Sequence, residues 1–240
     1  MVNKTHILVN EPEISVRYLA DYMAASERKK RSIISESKYR PAARMIQHRE
    51  AMVVLTGFFV SGKTNAAELK ERSEYIRNKL ADDDYDIAVN DANAGYLERV
   101  SQILGDIKLP NSNLTAAPKW QPQKINGVKL RFSPHILLDR TGKKNQKQRG
   151  ALMFRYAKGT PLKPEVGSYQ SAAIFGILRE ISDKDAEEVD KPLCITVDGF
   201  TGTVYAADGK AASSYLNMKA ALASIAERWP AIKPPPNSVL

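Results

Sequence analysis

With 240 residues, 43% of them hydrophobic, the chain is long enough for one large domain or two small ones and too apolar to remain disordered. Its single cysteine, Cys194, excludes an intramolecular disulfide, and its three histidines, His6, His48 and His135, lie too far apart for a zinc-finger spacing. The net charge of +9 is uneven: residues 119–163 hold 12 basic residues and 1 acidic residue, against 17 and 16 in residues 1–118 and 7 and 10 in residues 164–240.

The N-terminus, "MVNKTHILVNEPE", has no charged stretch followed by a long apolar run, and no run of about 18 apolar residues occurs anywhere. Neither a secretory signal nor a membrane span is expected, and the chain reads as cytoplasmic. Beyond Pro12 a helical pattern covers about Ile14 to Ser37, with Val16, Leu19, Ala20, Met23 and Ala24 at three- to four-residue spacing. Ser26 in "AASERKKRS" is a capping-type residue that predicts a break near Ala25. Pro41 fits the first turn of a second helix, with Met45, Met52, Leu55 and Phe59 on one face. A third helix is expected over Asn65–Leu80 and a fourth over Ile87–Leu104.

The stretch "KLPNSNLTAAPKWQPQ" carries Pro110, Pro118 and Pro122 and reads as a linker. After it the period falls to two. "VKLRFS" and "ALMFRYA" alternate and predict an antiparallel hairpin around the basic connection "RTGKKNQKQRG". A helix is expected over Pro164–Ile181, then a second hairpin from "LCITVD" and "TVYAA" with Gly202 at its turn, then a helix over Ala212–Arg228. The proline-rich end predicts a loose tail. The fold class is α+β: a helical module over 1–108, a linker over 109–124, a ββαββα domain over 125–230 and a flexible tail over 231–240.

Three features bear on function. The first is "GFFVSGKT" at 57–64, a literal match to the phosphate-loop pattern G-x-x-x-x-G-K-[ST]. As a nucleotide site, Gly57 and Gly62 would let the backbone wrap the phosphates, Lys63 would reach the β- and γ-oxygens and Thr64 would hold magnesium. Against that, bulky Phe58, Phe59 and Val60 suit a tight nest of N–H groups poorly. The run "ARMIQHREAMVVLTGFFV" also continues as one amphipathic helix ending at Gly62.

The second feature is the basic segment. Lys129, Arg131, Arg155 and Lys158 fall on or beside the strands, and Arg140, Lys143, Lys144, Lys147 and Arg149 on or near the connection. Such a platform with a basic finger suits a phosphate backbone, DNA or RNA. Trp120 is the candidate for stacking on a base. A second basic run, "ERKKRS" at 27–32, with Lys38, Arg40, Arg44 and Arg49, would widen the groove or serve as a solvated helix face. No helix-turn-helix, RNA-recognition or zinc pattern covers either run.

The third feature is Asp198, at the end of an apolar strand, the only well-placed strand acid in the C-terminal half; a metal-dependent nuclease site would centre on it, with Asp139 and Glu165 joining it in space. An Asp before a glycine-bearing hairpin is more often a turn residue. The expectation is a non-catalytic nucleic-acid-binding protein, one component of a larger assembly, with the helical module facing protein partners, no membrane contact, no cofactor and no metal.

Overall fold

The computed structural model describes residues 5–42, 48–182, 188–236 and 238–240, with Lys144 described by its backbone alone. The central sheet contains β4 (Asn113–Ala116), β7 (Ile136–Thr141), β8 (Lys147–Arg155), β10 (Ile195–Asp198) and β11 (Val204–Ala206), in the order β11-β10-β8-β7-β4. β7 pairs antiparallel with both β4 and β8, β10 runs parallel to β8, and β11 closes an antiparallel hairpin on β10. A short β9 (Glu188–Val189) adds to β8 in parallel. Two small sheets complete the set: β2 (Glu13–Ser15) beside β6 (Val128–Arg131) and β5 (Gln123–Ile125), and β1 (His6–Leu8) beside β3 (Tyr39–Pro41).

Side-chain alternation sorts the strand residues into two cores. Along β8, Ala151 and Met153 join one cluster and Leu152 and Phe154 the other. A strand buried on both faces reads as a continuous apolar run, which is why "ALMF" looked so hydrophobic. One face is covered by α1 (Val16–Met23), α6 (Pro164–Ile181) and α7 (Ala211–Arg228), through Leu19, Ile174, Phe175, Met218, Leu222 and Ile225. The other is covered by α3 (Arg49–Val60), α4 (Ala66–Arg77) and α5 (Asp84–Ile103), through Leu55, Phe58, Leu69, Leu97 and Val100. α6 is the crossover that makes β8 and β10 parallel. Gly150 lets β8 pass the Leu193 backbone, because a Cβ there would lie 2.2 Å from the Leu193 carbonyl oxygen.

The α+β class holds, but the clean helical N-terminal module does not. Strands and helices interleave, and the N-terminal helices form layers on the sheet built by the C-terminal half. The reason is the apolar run of β8 and β10, which needs cover on both faces. The break before α2 (Glu27–Lys38) falls where expected, with the Ser26 hydroxyl accepting from Lys29 N–H. Three expectations are corrected. Pro41 ends β3 instead of opening a helix, and Met45 and Arg44 lie outside the described residues. "VKLRFS" pairs with β2 and β5, and the partner of "ALMFRYA" across the basic connection is β7, which begins at Ile136. The proline-rich end is tied down: the Val239 carbonyl accepts from the Thr5 and His6 N–H groups, its N–H donates to the Thr5 hydroxyl, and the Ile232 carbonyl accepts from Lys38 and Tyr39. Among the described residues no helix is long and apolar enough to cross a membrane.

Candidate functional site

Half of the residues expected to form the basic surface are tied to carboxylates. Lys129 pairs with Glu11 at 2.9 Å, and Arg131 with Glu13 at 2.9 Å. Arg149 pairs with Asp139 at 2.9 Å, directly across the β7–β8 register, and Arg140 pairs with Asp190. Arg155 is only 7% exposed and donates to Asp21 at 2.7 Å, to the Arg17 carbonyl and to Gln170. Lys143, Lys147 and Lys158 remain exposed, and only the backbone of Lys144 is described. Trp120 is half-buried beside the core, in a T-shaped contact with Phe132 at 4.8 Å.

Most of the charges that face a cavity come from other segments, joined by Arg131 and Arg155. Because β8 and β10 are parallel, their carboxyl ends meet at one edge of the sheet, with Arg155 directly beside Asp198. His135, immediately before β7, lies at the same edge, where its N–H bonds the Leu152 carbonyl. Crevices outside the carboxyl ends of parallel strands are the usual ligand sites of such sheets. Here the crevice is walled by α1, the start of α2 and the loop 156–163, and forms a cavity of about 480 Å³. Arg17, Asp21, Lys29, Arg155, Tyr156 and Lys163 line it. A neighbouring cavity of about 1000 Å³ shares Tyr18, Ile33 and Glu36 with it and adds Arg40, Arg49 and Arg131.

Local sequence explains the placement. The Ser15 hydroxyl caps α1 by accepting from Tyr18 N–H at 3.2 Å. The buried stripe Val16, Leu19 and Ala20 then turns Arg17 and Tyr18 outward, and Asp21 reaches Arg155 from one turn further on. Arg17 has no ion pair among the described residues. Its charge reaches inward all the same, disfavouring protonation of His48 and His135 and lowering Arg155.

Beneath the cavity lies an aromatic cluster. Tyr96 and Tyr156 stack at 4.0 Å, and the His48 ring meets them edge-on at 5.5 and 5.1 Å. His48 hydrogen-bonds the Ala92 carbonyl, and burial, the largest influence, lowers its pKa. Among the described residues its buried Nδ1 has no partner, nor do Tyr96 Oη and Gln170 Nε2. Burial also raises the phenols of Tyr96 and Tyr156. His135 Nδ1 accepts from Phe154 N–H at 2.9 Å, and burial, with a smaller effect from Arg17, brings its pKa down to about 4. That ring is neutral at physiological pH.

Asp198 is a turn anchor. Its Oδ1 accepts from Phe200 N–H, and its Oδ2 accepts from Leu162 N–H and the Thr201 hydroxyl. It thereby pins the loop 156–163 to the end of β10. Asp139 is no companion: it pairs with Arg149, six residues back along β8 from Arg155 and so roughly 20 Å away at strand rise. Glu165 is exposed in the first turn of α6. Among the described residues no three His, Cys, Asp or Glu side chains converge.

The phosphate-loop match has the wrong backbone. Gly57–Val60 form the last turn of α3, where a strand would be needed to lead into the loop. The N–H groups of Ser61, Gly62 and Lys63 are spent on the carbonyls of Gly57, Phe59 and Phe58. Gly62 is left-handed at φ +69°, as a helix-ending glycine is. Lys63 pairs with Glu68, and Thr64 is exposed in the link to α4. This is a helix end, and its donors do not form an anion nest.

The chain matches no protein-family model, and no curated protein is similar enough to it to match. The functional reading therefore rests on the geometry. Sequence reasoning passed over Arg17, Tyr18 and Asp21. The signal available was their position on the polar face of "VRYLADYM", which marks them as outward-facing but says nothing of what they face.

Proposed function

We propose that the protein binds nucleic acid, seating phosphates in the cleft at the carboxyl edge of β8 and β10. The observation that supports this reading is the convergence of the two basic segments. Lys29 comes from the run at 27–32, Arg155 and Lys163 come from the segment at 119–163, and all line one cavity with Arg17, which has no ion pair among the described residues. Two guanidiniums side by side, one already neutralised by Asp21, leave a net positive site for an anion. The exposed Lys143 and Lys147 on the β7–β8 connection lie at the opposite end of β8 and act as a secondary contact.

The test is fluorescence anisotropy with labelled DNA and RNA oligonucleotides across a salt series, with magnesium present and the strands checked afterwards for cleavage. Wild type is expected to bind with an affinity that falls steeply with salt. Substituting Arg17, Lys29 and Lys163 together by Ala is expected to reduce the salt slope by about three. Lys143→Glu with Lys147→Glu should weaken binding less. Absence of binding at low salt would remove the reading, and cleaved strands would replace it with a catalytic one.

A further inference from the structure

We infer that Tyr18 is a base-stacking platform and that the cleft takes a single strand instead of a duplex; this rests on the nucleic-acid reading above. Tyr18 lies between the two cavities and lines both. It is 42% exposed and stands, with Arg17, on the outward face of a helix whose Val16, Leu19 and Ala20 are fully buried. The Ser15 cap fixes the backbone beneath it, so the ring is presented on a rigid element.

Cationic groups lie on both sides of the ring. In the smaller cavity are Arg17, Lys29 and Lys163. In the larger, Arg40 and Arg131 share the single carboxylate of Glu13, at 2.7 and 2.9 Å, and so leave one positive charge over. Arg49 lines the same cavity, is exposed and has no ion pair among the described residues. Of the acids lining the larger cavity, Glu50 pairs with Lys79 at 2.7 Å, Glu36 accepts from the Ser32 hydroxyl and lies 4.0 Å from Lys29, and Asp86 adds a further carboxylate. An aromatic face between two cationic cavities matches a base with a phosphate on either side. In a duplex both faces of each base are covered by their neighbours, so only an unpaired base can lie on Tyr18.

The experiment compares a single-stranded oligonucleotide, as DNA and as RNA, with its duplex at one salt concentration. Wild type should bind the single strand more tightly. Tyr18→Ala should weaken single-strand binding about 5- to 150-fold, the range of one stacked base, and leave duplex binding unchanged. Tyr18→Trp should retain it. A scan of single abasic sites adds a readout that pure electrostatics does not move: one abasic position should cost wild type a similar factor and cost Tyr18→Ala nothing. Because the ring is exposed, circular dichroism of the Ala variant should match wild type. Single-strand affinity unchanged in Tyr18→Ala, or an abasic penalty that persists in it, would overturn the inference while leaving phosphate binding in place. Absence of any binding by wild type would remove both.

Discussion

The two ends of β8 are built from similar residues and treated differently. At the end near the β7–β8 connection, Arg149 meets Asp139, Arg140 meets Asp190 and Gln148, and Gln148 reaches Glu188. At the carboxyl end, Arg155 is satisfied, but among the described residues Arg17 beside it has no ion pair, and the buried Tyr96 Oη, His48 Nδ1 and Gln170 Nε2 have no partners. Leaving a buried polar group unmade costs about 1–3 kcal/mol, so a chain keeps such groups where something other than stability requires them. At the first end the arginines are consumed by the fold and only lysines of the connection stay exposed. The second holds its charge and polarity in reserve.

The sharpest way to break this contrast is to remove Asp21. Arg155 would then be a buried guanidinium with no carboxylate, and breaking a buried pair from one side costs about 3–5 kcal/mol. Asp21 is partly exposed, so the lower part of that range applies, with Tm falling by about 6–12 °C for a chain of this size. Changing both residues, Asp21→Ala with Arg155→Met, should recover most of the loss in thermal denaturation. A double variant no more stable than Asp21→Ala alone would show that Arg155 acts through Gln170 and the Arg17 carbonyl instead.

His135 predicts a pH limb of similar size. Its folded pKa of about 4 lies below its ordinary 6.5, so the fold favours the neutral ring. The unfolded chain takes the proton first. The stabilisation is therefore complete above about pH 6.5, declines as the pH falls and is fully lost below about 4, a difference of about 3 kcal/mol. His135→Asn keeps an acceptor for Phe154 N–H and removes the titration. Denaturant unfolding between pH 7 and 4 should show a shallower loss of stability in the variant, and parallel curves would refute the assignment. At the other end of the strand, Arg149→Leu leaves Asp139 partly buried and unpaired and should cost about 1–2 kcal/mol while changing oligonucleotide affinity less than about twofold.

Much of the fold was legible in local pattern. The caps at Ser26 and the periodicity of α4 to α7 are properties of short windows, and the helices came out within a few residues of expectation. Strand partners were not legible. "VKLRFS" has the right period for a strand, but nothing in it says that Glu13–Ser15 lies beside it, because register is decided by what the whole sheet buries. The same limit hid the site. The charge excess at 119–163 was read as exposed, yet Glu11, Glu13, Asp21 and Asp190 reach in from distant segments to neutralise it. Arg17 looks ordinary in sequence and matters only because α1 lies over the ends of β8 and β10.

The smallest predicted effect has the opposite sign. Tyr96 is 1% exposed, its hydroxyl has no partner among the described residues, and its ring packs against Gly199, where an added Cβ would lie 2.6 Å from Oη. Tyr96→Phe removes only that oxygen and keeps the stack on Tyr156. With no hydrogen bond to lose, the variant should be unchanged or up to about 1 kcal/mol more stable in denaturant unfolding. A loss of more than about 1 kcal/mol would mean that the hydroxyl has a partner in solution and that the carboxyl end is as well satisfied as the other. A gain in stability accompanied by weaker oligonucleotide binding would instead show that stability is given up at this end to keep a polar group beside the cleft.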